Sequence, residues 1–178
     1  MCAKEVQMNG WVESYRAVIG SKISALIWMP MASDTPDLVS AYKSPSFSFT
    51  GGVFLGFSTA QKVFLTWRQE GYDTFLGEGL EFAWGAYALD RVRCDQFGTW
   101  GVIEQSTLRS VELFSAPSIQ QERIVGIRHS VVFSEGETHF WIGTGGAEFV
   151  GDSDDLWVGI GVEPPNLARL TSVGKLGD

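Results

Sequence analysis

Disulfide scaffolding is the first thing this sequence cannot build. Cys2 and Cys94 are its only cysteines, too few for the bridged frameworks of small secreted domains, so a reducing compartment is expected. Long apolar runs are missing too. The longest, Ile23 to Met31, falls short of the roughly 20 residues that cross a bilayer as a helix, and the opening MCAKEVQMNG lacks the apolar stretch of a secretory leader. A cytoplasmic protein with no membrane partner follows. Basic residues are scarce: 13 Lys and Arg stand against 21 Asp and Glu, a net charge of −8. Such a chain repels phosphate backbones, and nucleic acid is not an expected partner.

The sequence is equally poor in motifs. Its two histidines, His129 and His139, flank a hairpin; pairing Phe133 with Thr138 across the turn puts them on opposite faces, where they share no ligand. Asp152-Ser153-Asp154-Asp155 lacks the alternating spacing and distal Glu of a calcium loop. Gly143-Thr144-Gly145-Gly146 lacks the Lys-Ser/Thr of a phosphate loop, and Gly51-Gly52-Val53-Phe54-Leu55-Gly56 fails the dinucleotide fingerprint. Cys94 has no recognisable base, and no Gly-x-Ser-x-Gly elbow, CxxC pair or paired carboxylates stand out. No metal and no cofactor are expected, and an enzyme is the less favoured class.

What is present is strand-forming material. Aromatics make up 13% of the chain, with seven Trp, and 21 Gly supply turns, a composition suited to pleated surfaces. Residues 1–178 read as one α+β domain, mainly an antiparallel sheet or sandwich with a short N-terminal helix and few others. Asn9 or Gly10 caps a helix carrying Trp11, Tyr15, Val18 and Ile19, ended by Gly20. Strands are expected at Ile23–Met29, stopped by Pro30; at Phe47–Phe57, broken or bulged at Gly51-Gly52; and at Lys62–Trp67. Glu70–Gly98 reads as irregular with a short helix. Thr99–Ile103 and Leu108–Phe114 read as extended, Arg123–Phe133 and Thr138–Gly143 as the clearest hairpin, Leu156–Val162 as a last strand and Leu167–Val173 as a terminal helix.

The halves 11–67 and 100–143 also align. Phe57 falls on Phe133, Phe64 on Phe140 and Ile23–Trp28 on Leu108–Leu113, each half led by a Trp (Trp11, Trp100) and an apolar pair (Val18-Ile19, Val102-Ile103). Either the chain is internally duplicated, with those phenylalanines in equivalent buried positions, or two apolar hairpins merely look alike.

This order, a Trp-led helix ending in Ile19-Gly20, a strand and a Phe57…Phe64 hairpin, seen again in weaker form downstream, resembles the small immunity proteins that bacteria keep against polymorphic toxins. The resemblance spans fragments of 11–67 and 100–143 and contains no family-specific motif. It implies a small acidic protein that neutralises a toxin domain by occluding it. The charge pattern is compatible: between Arg128 and Arg169 there is no Lys or Arg, and Glu135, Glu137, Glu148, Asp152, Asp154, Asp155 and Glu163 fall there, either as solvated turns that keep the protein soluble or as an acidic face. These carboxylates, with Trp141 as the exposed aromatic, are the expected contacts for a basic protein partner. A β-rich carrier of a small ligand in an aromatic-lined pocket, or an enzyme assembled from distant residues, are the alternatives. Since the residues offer no ligand set for metal or nucleotide, thermal melts with chelator, Zn²⁺, Ca²⁺ or NAD should superimpose on the melt without them, and a shift of several degrees would contradict this.

Overall fold

The computed structural model describes residues 13–70, 73–78, 90–116, 123–144 and 155–178. Strand β1 (Ile23–Pro30) ends at its proline, as the sequence predicts, because Pro cannot donate to a ladder. It runs antiparallel to β3 (Gly51–Phe57), which turns into β4 (Lys62–Glu70) and then β5 (Asp73–Glu78), while a two-residue β6 (Val92–Arg93) flanks β1. The result is a five-stranded sheet of order β5-β4-β3-β1-β6. The segment read as irregular thus contains a strand, and its residues 79–89 lie outside those described.

The second sheet has six strands. Between β2 (Ser46–Phe49) and β3 the chain leaves one sheet for the other, the break anticipated at Gly51-Gly52. Both glycines are required by close approach. A Cβ at Gly51 would overlap the Met29 carbonyl oxygen, and one at Gly52 would overlap the Phe64 ring. Strands β7 (Thr107–Ser115), β8 (Gly126–Phe133), β9 (Gly136–Thr144), β10 (Leu156–Ile160) and β11 (Thr171–Gly177) complete a sheet of order β11-β7-β8-β9-β10-β2. The fold is β-rich α+β, with antiparallel pairing throughout and only short helical pieces.

Apolar side chains of both sheets close one core. Leu26, Trp28, Val53, Leu55 and Leu65 from the five-stranded sheet meet Leu113, Ile127, Phe140, Ile142 and Val158 from the six-stranded one. Trp28 is the hub of an aromatic cluster, stacked on Tyr42 at 5.2 Å and edge-on to Phe47 and Trp100 at 4.9 and 5.1 Å, the offset and perpendicular arrangements that ring quadrupoles favour. Trp100 sits on a 3-10 helix, Gly98–Val102, where the sequence reads as extended. Its indole NH donates to the Ser44 carbonyl at 3.0 Å and its ring fills the core, so anchoring of one large side chain outweighs local strand preference. The helical turn at 13–16 delivers Tyr15 and Val18 to the same core and ends at Gly20 with φ 82°, the expected C-cap. Trp11, and the N-cap expected at Asn9 or Gly10, lie outside the described residues.

The predicted terminal helix is absent. Leu167–Arg169 makes one 3-10 turn, and the chain then pairs as β11 along β7. A seven-residue helix is marginal in water, whereas Thr171–Gly177 pairs along the otherwise open edge of β7, with a bulge at Val173, and places Val173 and Leu176 against the core. Residues 161–170 run back over the outer face of the six-stranded sheet, where Val162, Leu167 and Leu170 cover a second apolar cluster of Phe114, Ala116, Val125, Trp141 and Trp157.

The hairpin register corrects the sequence reading by two residues. The turn is Ser134-Glu135 alone, Phe133 pairs with Gly136, and His129 faces Phe140. A shift of two conserves faces, so the opposed histidines hold. The aligned phenylalanines differ in setting: Phe57 and Phe140 are core, Phe64 is buried but outside that core, and Phe133 is only half-buried. Phe140→Ala should therefore cost about 3–5 kcal/mol in urea unfolding, and Phe133→Ala well under half as much.

Candidate functional site

Outward-facing side chains of β7, β8, β9 and β11 fall into rows across the six-stranded sheet, set by the strand register. One row reads Lys175, Glu112, Arg128, Trp141. The next reads Gly177, Ser110, Ser130, His139, all small except the last. Beyond it stand Val132 and Glu137, with Arg109 pushed out by a bulge in β7. A row of small residues between two rows of large ones leaves a groove, about 760 Å³ in volume, running across the strands.

The β9 end of this groove is closed by charge. Glu163, from the covering segment, approaches Arg128 Nη2 at 3.4 Å and His139 Nε2 at 3.3 Å. Burial, and secondarily the Arg128 charge, holds the His139 imidazole below its ordinary range, with Glu163 acting in the opposite sense. Arg128 Nε is buried and has no hydrogen-bond partner.

A second hollow, of about 640 Å³, lies beside the β8–β9 turn, between that turn and residues 102–107. Lys22, Glu104 and Glu135 line it together with Val102, Val132 and half-buried Phe133. Glu104 is anchored from within: it pairs with Arg93 Nη2 at 2.5 Å and accepts the Leu26 amide at 3.4 Å. Glu135 is free of such ties to the sheet and exposed.

The expected acidic binding face is thus distributed. Glu135 faces the second hollow and Glu137 the groove. Asp155 accepts a 2.6 Å hydrogen bond from Thr50 Oγ1 where the chain changes sheets, and Glu148, Asp152 and Asp154 lie outside the described residues. Trp141 is not exposed. Its ring does lie on the outer face, as the hairpin parity requires, but the 161–170 segment covers it completely, in contact with Phe114 at a centroid distance of 4.8 Å. Sequence reasoning found the side of the sheet and missed the cover. It missed the groove as well, because Ser110, Ser130 and Gly177 become neighbours only through three-strand register.

The remaining chemistry-bearing side chains are sequestered. Cys94 is buried, its thiol pushed far up by burial and by Glu104 and Asp95, and its Sγ lies 3.6 Å from the Trp100 carbonyl oxygen. His129 is fully buried, stacked on Phe140 at 4.3 Å and hydrogen-bonded through Nε2 to Tyr15 OH at 2.8 Å. Among the described residues no three His, Cys, Asp or Glu cluster as metal ligands, and no helix is long and apolar enough to cross a membrane.

Burial pushes the His129 imidazole down to about 3 from its ordinary 6.5. The unfolded chain takes up a proton near pH 6.5 that the folded chain refuses, so the contribution is complete above that pH and is lost as the pH falls toward 3. Urea unfolding between pH 7 and pH 4 should show stability falling by on the order of 1 kcal/mol per pH unit from this group, and His129→Phe combined with Tyr15→Phe should flatten that acid limb. No family model, curated protein or solved structure matches the chain.

Proposed function

We propose that this chain is a non-enzymatic protein-binding module that docks a basic partner at the hollow beside the β8–β9 turn, as an immunity protein occludes a toxin domain. One observation carries the reading. Val102 and Val132, two of the three exposed large hydrophobics among the described residues, lie together in that hollow with Phe133, next to the exposed carboxylate of Glu135. Scattered exposed apolar side chains need no explanation, but apolar groups gathered in a concavity beside charge have the make-up of a protein docking site. The apolar side chains retain a partner by excluding water. The net charge of −8 favours the approach of a basic one.

Charge and apolar contact should then separate kinetically. Immobilised wild-type protein should retain a basic partner from an extract of the source cells, and Val102→Asp should lose it while melting at the wild-type temperature. With the captured partner, Glu135→Gln should lower the association rate and flatten its salt dependence, and Val102→Ala should raise the dissociation rate. If both variants bind with wild-type rates, the hollow is not the docking site.

A further inference from the structure

The groove across β7, β8, β9 and β11 is separate from that docking reading and has its own chemistry. Its floor is Ser110 and Ser130, two hydroxyls at directly paired positions. Its lining carries three cations, Arg109, Arg128 and Lys175, and three acids, Glu112, Glu137 and Asp178. A simple anion would meet as many repulsive as attractive groups there, and so would a simple cation. A ligand bearing both charges, with hydrogen-bonding atoms between them, meets neither problem. The closed end identifies where its negative group goes. Arg128 and His139 line the groove there, and their side chains stay 35% and 21% exposed, so a guanidinium and an imidazole face an incoming group. Glu163 of the chain itself already holds a carboxylate against both residues, at 3.4 and 3.3 Å, which shows the kind of group this corner accepts.

Size narrows the ligand further. The groove spans four strands, three spacings of about 4.8 Å or roughly 14 Å in all, the length of about four extended residues. Its volume of about 760 Å³ lies within the ~300–1,000 Å³ of ordinary ligand sites.

We infer that the outer-face groove binds a short zwitterionic peptide, its carboxylate at Arg128 and His139, its backbone over Ser110 and Ser130, and its ammonium toward the acidic lining groups. The carboxylate takes the place that Glu163 now borders, and the hydroxyls pair with peptide groups that a flat apolar face would leave unmatched.

The test is an amide chemical-shift titration of the full chain with tri-alanine, its C-terminal amide, its N-acetyl form and inorganic phosphate. Tri-alanine should give saturable shifts confined to amides of β7, β8 and β9 around Ser110, Ser130 and His139. The C-terminal amide should bind at least tenfold more weakly, and the N-acetyl form several-fold more weakly. Ser130→Leu, which fills the floor from an outward-facing position, should abolish the response with the fold retained. Arg128→Gln should weaken tri-alanine at least tenfold and leave the amidated peptide unchanged. No saturable shift from tri-alanine up to about 10 mM, an amidated peptide that binds as well, or phosphate that binds the same amides as tightly would each overturn the inference. Loss of partner capture by Val102→Asp has no bearing on this result, since Val102 does not line the groove.

Discussion

The six-stranded sheet has to bury apolar side chains on both of its faces. One face packs against the five-stranded sheet through Leu113, Ile127, Phe140 and Ile142. The other carries Phe114, Trp141 and Trp157, an area that water disfavours strongly enough to require a cover. The segment 161–170 supplies it with Val162, Leu167 and Leu170, and the Gly161 N–H donates a 2.9 Å hydrogen bond to the His139 carbonyl oxygen, which ties the segment to the sheet. The open part of this face begins where the cover stops. Beyond Trp141 the rows turn small and polar, Glu163 of the cover meets Arg128 and His139 at the boundary, and the face past them is open as the groove.

The same constraint explains what sequence reasoning reached. Alternation along Arg128–Phe133 and Thr138–Gly143 assigns each side chain to a face, because the period of two survives a two-residue register error; His129 and His139 are opposed in either register. Pro30 and Gly51-Gly52 mark the strand end and the sheet change for steric reasons that act locally. Whether an outward-facing ring meets water is a different kind of question. The residues covering Trp141 are spaced irregularly around Pro164-Pro165-Asn166 and have no period to recognise. The groove was invisible for a related reason. Its floor is contributed one residue per strand, and its Arg109 wall exists only because of a bulge. The strand at Thr171–Gly177 was hidden by competition, since Leu167 and Leu170 also satisfy a helical spacing until the open edge of β7 is known.

The two hollows share Val132 and differ in the groups they combine. One offers apolar contact beside a carboxylate, suited to a surface of another protein. The other offers hydroxyls and balanced charge, suited to a small polar chain. Because β7 and β8 contribute to both, an occupant of one hollow acts on strands that also frame the other, and any linkage between them would be reciprocal in free energy.

The crossing of the chain from β2 to β3 has a temporal consequence. β2 belongs to the first third of the polypeptide, yet its only partner among the described strands, β10, lies close to the other end, Phe49 pairing with Leu156. During synthesis the β1-β3-β4 meander has its partners early, while Phe47 and Phe49 must wait until most of the chain has emerged. Pairing over such sequence separation is slow because loop closure precedes any gain in contacts. The nascent chain therefore carries an unpaired, aromatic-rich edge directly joined to a finished sheet, and this is the segment most in need of shelter from aggregation before the last strands arrive.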